Sequence, residues 1–321
     1  GLRVLTSSND RSARIWDMRT GEPTTKPKRH DDRVLGAVFS PDQSRVLTWS
    51  WDGSARLWDA ETGGSLGRPM EHNEPVYGAT FNGDGSLVLT RSGDKTARLW
   101  DGHTGTPVDP PLTHGRPVRG ALFSPDDSRI LTWSDDGTAR IWNAEARQAV
   151  TPPLEHGEPV GGGRFAGDGN LVLTWSQDGG PRVWDADSGA PRNKPAEGEI
   201  AIRGADFDGR GVSVLTWPFS GNTAQLRSAM TGEAVTEIGH LARVVGGRLA
   251  DDGWRALTWD QGGGIRVLDL NDHRAFNRGE GLTLQHPHAA KGARWSRDGA
   301  RILSWSSDGG SGPTRPSGGL G

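Results

Sequence analysis

HDDRVLGAVFSPDQSRVLTWSWDGSARLWD, residues 30–59, contains three short runs of apolar and small residues separated by turn residues. The runs are Val34–Phe39, Arg45–Ser50 and Ser54–Asp59, and the turns between them are Ser40-Pro41-Asp42 and Asp52-Gly53. A short run of this kind that ends in Pro, Asp or Gly is typical of a β-strand followed by a tight turn. Together with a fourth, weaker run before His72, the segment predicts four antiparallel strands.

The same unit recurs along the chain at a fixed spacing, which indicates a repeat architecture. Leu-Thr pairs follow one another every 42 residues, and Leu303-Ser304 comes 46 residues after the last of them. The pairs are Leu5-Thr6, Leu47-Thr48, Leu89-Thr90, Leu131-Thr132, Leu173-Thr174, Leu215-Thr216 and Leu257-Thr258. One four-stranded sheet cannot bury both of its faces, whereas copies stacked around an axis can. The sequence therefore predicts a propeller of about seven sheets.

The recurring landmarks His-x3-Val-x-Gly-Ala-x-Phe, Ser-Pro-Asp, Leu-Thr-x-Ser-x-Asp-Gly and Trp-Asp resemble the WD40 repeat over residues 1–308. The resemblance implies an all-β WD40 β-propeller of about seven four-stranded antiparallel blades, with eight blades or a fragment of a longer array as alternatives. Residues 309–321, rich in Gly, Pro and Ser, are expected to form a flexible tail. The repeats are similar to WD40 arrays of bacterial multidomain signalling proteins.

That resemblance implies a scaffold or sensing module that binds one or more proteins or peptides, not an enzyme. A covalently linked upstream signalling domain, missing from this chain, is a further expected partner. The alternative is a propeller enzyme, or a binder of small molecules or glycans, that uses the central channel. The standard signatures of nucleotide-binding loops, serine nucleophile elbows and zinc peptidases are absent from the sequence, and no cofactor is expected.

Composition narrows the partners and the location further. The chain has no Cys, which excludes disulfides and thiolate metal sites. Its 37 basic and 40 acidic residues are spread without blocks, so nucleic acid is not expected as a partner. No apolar run of membrane-spanning length and no secretory signal are visible, so we expect no membrane insertion and a cytoplasmic location.

Histidines recur at equivalent places and could suggest a metal site, but they would lie too far apart to share one ion. In the family that the chain resembles, such a His joins a Ser or Thr, an Asp and the Trp in a structural hydrogen-bond network within one blade. The matching sets are His30, Ser50, Asp52 and Trp58; His72, Ser92, Asp94 and Trp100; His114, Ser134, Asp136 and Trp142; and His156, Ser176, Asp178 and Trp184. We expect no bound metal.

The pattern is lost in the two units that follow. In the first of them Pro218, Ser220 and Gly198 replace the Ser, Asp and His, and Arg227 takes the Trp place if one residue is inserted. In the second, Asp260, Gly262 and Leu268 occupy the Ser, Asp and Trp places. Unreplaced buried partners cost about 1–3 kcal/mol, so we expect these blades to be the least rigid.

A second set of aromatic residues precedes each structural Ser or its replacement. It comprises Trp49, Trp133, Trp175, Trp217, Trp259 and Trp305, with Arg91 at the equivalent place. A simple antiparallel register places Arg56, Arg140, Arg182, Gln225 and Arg266 opposite these residues, which predicts stacked Trp/Arg pairs across neighbouring strands. Simple packing of large aromatics between blades is the alternative.

A partner should bind where the repeats differ, because the shared residues are already explained by folding. Exposed aromatic and Arg side chains are the usual energetic anchors of interfaces. The candidate partner-binding face consists of Trp51, Tyr77, Phe219, Arg119, Arg203, Arg33, Arg243, Asp135, Gln177 and Gln261. The alternative is that each is an ordinary solvated loop residue.

Overall fold

The computed structural model of the chain describes residues 3–177, 179–193, 201–250, 252–270, 281–296 and 301–307. Within these ranges the structure has 28 β-strands in eight antiparallel sheets and contains no helix. The all-β prediction is thus confirmed. The predicted tail, residues 309–321, lies outside the described residues. The chain divides into two compact units, residues 1–160 and 161–321, and each is described by itself.

The first unit holds four sheets made of consecutive strands. Their bounds are β1 (Arg3–Ser7), β2 (Ser12–Asp17) and β3 (Lys28–Arg29); β4 (Val34–Phe39), β5 (Arg45–Ser50), β6 (Ser54–Asp59) and β7 (Ser65–Glu71); β8 (Val76–Phe81), β9 (Leu87–Ser92), β10 (Thr96–Asp101) and β11 (Pro107–Thr113); and β12 (Val118–Phe123), β13 (Arg129–Ser134), β14 (Thr138–Asn143) and β15 (Leu154–Glu155). Each of the last three sheets has the four antiparallel strands that the repeat predicts.

The second unit repeats the arrangement with one three-stranded, two four-stranded and one two-stranded sheet among its described residues. Their bounds are β16 (Val160–Phe165), β17 (Leu171–Ser176) and β18 (Arg182–Asp185); β19 (Ile202–Phe207), β20 (Ser213–Pro218), β21 (Thr223–Ser228) and β22 (Ala234–Gly239); β23 (Val244–Leu249), β24 (Arg255–Asp260), β25 (Gly264–Asp269) and β26 (Leu282–Gln285); and β27 (Ala290–Trp295) and β28 (Ile302–Ser306). Strand β16 begins at the last residue of the first unit.

The core of the first unit lies between successive sheets. Leu47, Leu57 and Met70 of sheet β4–β7 pack with Val76 and Val88 of sheet β8–β11, and all five are almost fully buried. Each such aliphatic side chain contributes about 1.5–3 kcal/mol when it leaves water. The second strand β5 is buried on both faces, including its polar residues Thr48 and Ser50.

A glycine on the first strand of a sheet lies directly beneath the large side chain that precedes the structural Ser. Gly36 pairs with Trp49 in the ladder, and a Cβ added to Gly36 would lie closer than 3.0 Å to three ring atoms of that Trp. The same holds for Gly120 with Trp133, Gly162 with Trp175, Gly204 with Trp217, Gly246 with Trp259 and Gly292 with Trp305, and Gly78 lies under Arg91 in the same way. An aromatic ring covering a strand glycine shields the exposed backbone.

This arrangement shows that the predicted Trp/Arg register was wrong. Arg56 pairs with Thr48, one residue before Trp49, and Trp49 faces Ala55. The shift of one residue sends the two large side chains to opposite faces of the sheet. The ring is therefore directed onto the glycine of the first strand instead of the arginine of the third.

Three first strands of the second unit are linked by buried charge. Asp206 is 2% exposed in its side chain and forms ion pairs with Arg164 and with Arg248, the latter at 3.5 Å between Nη1 and Oδ1. Its Oδ2 also accepts a hydrogen bond from the Leu249 N–H at 2.9 Å. The carboxylate of β19 thus bridges arginines of β16 and β23.

One buried position of the first unit carries a charge without a carboxylate at hydrogen-bond distance in the described part of the chain. Lys28 is 0% exposed, and its Nζ donates to Thr25 Oγ1 at 2.5 Å. Lys28 pairs with Ala13 in the first sheet, and Met70 pairs with Ala55 at the equivalent place of the second sheet. The second sheet thus has an apolar side chain where the first has Lys28. Burial lowers the pKa of Lys28, and the negative charge of Asp59 only partly opposes this.

Replacing Gly162 by Ala is expected to destabilise the protein by about 1–3 kcal/mol, because the new Cβ overlaps the Trp175 ring. Gly161 is the matched control on the same strand, since a Cβ there would meet Trp175 only at 3.5 Å. Urea unfolding of both variants measures the difference. Equal unfolding midpoints would show that the ring does not require the glycine.

Lys28→Met is expected to raise the free energy of unfolding by about 1 kcal/mol or more at neutral pH, because no charge then has to be buried. The lowered pKa in the folded state means that the unfolded chain holds more protons as the pH approaches the ordinary value of 10.5. Wild-type stability then rises with pH, so the advantage of the variant should shrink in alkaline buffer. Thermal melts across this range measure it, and a variant no more stable at neutral pH would contradict the argument.

Candidate functional site

Three of the candidate partner-binding residues, Tyr77, Arg119 and Arg203, lie at an irregularity that repeats in the first strand of six sheets. The ladder shifts register by one residue after the first pair, and the extra residue has no partner on the neighbouring strand. These bulge residues are Leu35, Tyr77, Arg119, Arg203, Val245 and Lys291. A bulge re-aims its side chain away from the ladder, so each sheet presents one side chain that pairing does not constrain.

A second variable position is fixed next to each bulge by a backbone hydrogen bond. The N–H of Trp51 donates to the carbonyl of Arg33 at 3.1 Å. The same bond joins Gly93 to Pro75, Asp135 to Pro117, Phe219 to Ala201 and Gln261 to Arg243. The turn after the second strand and the start of the first strand therefore lie side by side in every one of these sheets.

In the first unit five of the predicted residues form one continuous row. The Arg33 guanidinium lies 4.3 Å from the Trp51 ring centroid, and the Trp51 and Tyr77 rings are 6.1 Å apart. The Arg119 guanidinium lies 5.2 Å from the Tyr77 ring centroid, and its Nη2 is 2.6 Å from Asp135 Oδ2. We call these five residues the aromatic–arginine row.

The row is open to solvent yet internally ordered. Trp51 is 40% exposed, and Arg33 and Arg119 are exposed. Cation–π contacts at exposed sites contribute about 0.5–1 kcal/mol each, enough to hold the planar groups in register. The hydrogen bond from Arg119 to Asp135 raises the pKa of the guanidinium, so Arg119 carries its charge at every physiological pH.

The predicted residues of the second unit are not assembled in this way. Phe219 is 39% exposed, and Arg243 Nη1 approaches its backbone carbonyl at 3.5 Å. Arg203, Gln177 and Gln261 are exposed, and among the described residues of that unit they form no aromatic or ionic contact with the other predicted residues. The two halves of the predicted face thus differ in organisation.

The histidine networks are centred on the hydroxyl of a threonine that the sequence pattern did not assign to them. His30 Nδ1 lies 2.9 Å from Asp52 Oδ2, and its Nε2 lies 2.7 Å from Thr48 Oγ1. The Trp58 indole N–H donates to the same Thr48 Oγ1 at 2.8 Å. The sheets of His72 and His114 have the same geometry, with Asp94, Thr90 and Trp100 in one and Asp136, Thr132 and Trp142 in the other.

The serines predicted in these networks lie beside them. Ser50 Oγ donates to the Arg33 carbonyl at 2.9 Å and accepts from the Asp52 N–H at 3.1 Å. Ser92 and Ser134 likewise bond to the carbonyls of Glu74 and Arg116. The serine thus ties the turn to the start of the first strand, whereas the threonine two residues earlier joins the His to the Trp.

In the fourth predicted set the structure describes only part of the network. Trp184 donates to Thr174 at 2.7 Å, as its counterparts do. His156 follows β15, its N–H donates to the Gly137 carbonyl at 2.8 Å, and Ser176 is buried at the end of β17. Asp178 lies outside the described residues.

A further network, which the sequence analysis missed, occurs where the pattern was thought to be lost. His240 Nδ1 lies 2.8 Å from Asp260 Oδ2, and its Nε2 lies 2.7 Å from Thr258 Oγ1. Asp260 stands at the Ser place, two residues before the usual Asp, and reaches the same imidazole nitrogen. The paired substitution of Ser by Asp and of Asp by Gly262 was the signal that could have revealed it.

The electrostatics of the networks follow from burial opposed by hydrogen bonding. Burial disfavours the Asp52 carboxylate, but hydrogen bonds from His30, Ser54 and two backbone N–H groups hold its pKa well below its usual range. Burial lowers the pKa of His114 and of His240, and the adjacent carboxylates oppose that shift. Each imidazole is thus engaged within its own sheet on both ring nitrogens.

Thr48→Val is expected to destabilise the protein by about 1–3 kcal/mol. Val has nearly the same shape as Thr but no hydroxyl, so the buried Trp58 N–H and His30 Nε2 both lose their hydrogen-bond partner. Thr48→Ser is the matched control, since it keeps the hydroxyl. Denaturant unfolding compares the two. If the Ser variant lost as much stability as the Val variant, the methyl packing rather than the hydroxyl would be responsible.

Comparisons with known proteins agree with this geometry. The family described as WD domain, G-beta repeat matches residues 21–59, 64–101 and 107–143. Comparison with curated proteins gave no match. The crystal structure of the computationally designed Ika8 protein is similar, with a TM-score of 0.76 and 20% sequence identity over 96% of this chain and 92% of that chain. Residues 21–143 therefore contain WD40 repeats, and the chain has a fold of the β-propeller class.

Proposed function

We propose that this protein is a non-catalytic scaffold or sensing module that binds one or more proteins or peptides through the aromatic–arginine row. WD40 repeats generally mediate protein–protein interactions. The observation that supports this surface is the continuous contact from Arg33 through Trp51 and Tyr77 to Arg119. These side chains stand at positions where the repeats differ, so the fold itself does not require them.

The physical character of the row favours a peptide or protein ligand. Trp, Tyr and Arg provide most of the energy of typical interfaces, because they bury large planar surfaces and still offer hydrogen-bond donors. Here each planar group already contacts its neighbour, so less side-chain entropy is lost on binding. Arg33 has no ion pair among the described residues, so its guanidinium is available to a carboxylate or carbonyl of the ligand.

The wider setting is part of the same proposal. We expect the module to belong to a larger signalling protein with a covalently linked upstream domain and to act in the cytoplasm without nucleic acid. Within the described residues no helix is long and apolar enough to span a membrane. Phe219, Arg203, Arg243, Gln177 and Gln261 stay predictions as partner-binding residues.

The test is selection of displayed peptides on the whole protein, followed by titration of the selected peptides against variants. Trp51→Ala and Arg119→Ala are each expected to weaken binding at least tenfold, which corresponds to about 1.4 kcal/mol. Trp254→Ala is the matched control, because Trp254 is also exposed and lies 4.4 Å from the Arg210 guanidinium in the second unit. It should change the affinity less than twofold.

Thermal melts first establish that each variant folds. Affinity that survives Trp51→Ala and Arg119→Ala but is lost in Trp254→Ala would contradict the assignment of the surface. Failure to select any peptide or to capture any protein would contradict the proposed function itself.

A further inference from the structure

The sheet β19–β22 of the second unit departs from the repeat at the two places where other sheets insert rings. Arg227 pairs with Val214 as Trp58 pairs with Val46, so Arg227 occupies the Trp position in the ladder. The sequence has Gly198 at the corresponding His position, which lies outside the described residues. The repeat therefore has an arginine in place of the indole side chain and a glycine in place of the imidazole side chain in this unit.

The structure has a cavity of about 410 Å³ at this sheet. Its lining includes Thr216, Pro218, Asn222, Gln225, Arg227 and Glu237. This volume lies within the range of about 300–1,000 Å³ that small-molecule sites usually occupy. The cavity thus coincides with the only sheet, among those described with four strands, in which the Trp place holds an arginine.

The polar groups of the wall are held in place by one another. Arg227 Nη1 donates to the Gly232 carbonyl at 3.0 Å, and its Nη2 donates to Gln225 Oε1 at 2.6 Å. Gln225 Nε2 in turn donates to Glu237 Oε1 at 3.0 Å. The planar guanidinium is therefore fixed at the wall and presents a flat cationic surface.

The threonine at the centre of the other networks is retained here. Thr216 is 2% exposed and lines the cavity. In five other sheets the equivalent hydroxyl accepts an indole N–H at 2.7–2.8 Å. Thr216 Oγ1 still donates to the Gln225 carbonyl at 3.3 Å, as Thr90 does to the Arg98 carbonyl, so its lone pairs face the place that the indole N–H takes elsewhere.

We propose that this cavity binds a small free aromatic heterocycle that carries an N–H donor, of the indole or benzimidazole type. The ring takes the space that the Trp side chain fills in other sheets, its N–H donates to Thr216 Oγ1, and its face lies against the Arg227 guanidinium. Glu237 lies in the same wall and disfavours an anionic ligand. The proposal uses residues of the second unit alone and does not depend on the aromatic–arginine row.

The experiment is ligand-observed NMR and calorimetric titration of the full chain with indole. Benzofuran is the matched ligand, because it has the same shape with an oxygen in place of the N–H. Indole is expected to bind at least tenfold more tightly than benzofuran, and Thr216→Val should reduce the indole affinity to the benzofuran level. Val235→Ala is the control variant, since Val235 is 55% exposed on β22 of the same sheet, and it should leave the indole affinity unchanged.

Arg227→Trp supplies the missing ring from the chain itself. It is expected to abolish indole binding and to raise the melting temperature. If this variant fails to fold, the comparison of Thr216→Val with Val235→Ala still decides the question.

Three results would overturn the proposal. One is absence of saturation transfer to any heterocycle, and another is equal affinity for indole and benzofuran. The third is tighter binding of a tryptophan-containing peptide than of indole, which would assign the cavity to a partner's side chain and not to a free heterocycle.

Discussion

A single buried threonine hydroxyl holds each regular sheet together. Thr48 Oγ1 lies within 2.8 Å of the Trp58 indole nitrogen and of the His30 imidazole, and His30 in turn engages Asp52. The group connects the loop before the first strand, the second strand and the third strand through one atom. Hydrogen bonds between buried groups are strong in a low-dielectric interior. The Thr48 hydroxyl therefore fixes the register of these strands, although it is a small group.

The rest of the architecture is arranged around that fixed point. Its neighbour toward the first strand is the Gly36–Trp49 contact, in which the ring replaces the absent side chain of the glycine. Beyond it comes the bulge, where Leu35 leaves the ladder. The contacts that stabilise the sheet are therefore made by Thr48 and by the Gly36–Trp49 pair. The bulge residue Leu35 has no partner in the ladder.

The fold could be predicted from the sequence because a period of 42 residues constrains where strands and turns fall. The pairing inside a sheet could not. Spacing alone did not show that Thr48, and not Trp49, pairs with Arg56, because the register depends on how many residues the turn between Trp49 and Ala55 takes up. The central Thr was overlooked for a related reason. It stands in an apolar run, and only its neighbours in space show that its hydroxyl is used.

The candidate site shows the same limit. Sequence variation between repeats was enough to select Arg33, Trp51, Tyr77, Arg119 and Asp135, because the fold imposes no residue type on them. It did not show that these five contact one another while Phe219, Arg203 and Gln261 do not, since contacts between neighbouring sheets depend on the direction of each side chain. Asp260 was misplaced because a carboxylate can reach the same imidazole from either of two positions.

The repeated bulge has a consequence for how such a surface changes over time. Six sheets each carry one side chain that has no partner in the hydrogen-bond ladder, so under the proposed function a substitution there changes recognition and leaves the ladder intact. Because ladder pairing constrains none of these positions, the number of side-chain combinations that the chain can display multiplies with each added repeat. In a repeat protein built in this way, new combinations of displayed side chains arise by substitution at the bulge positions, while the β-sheet framework stays the same.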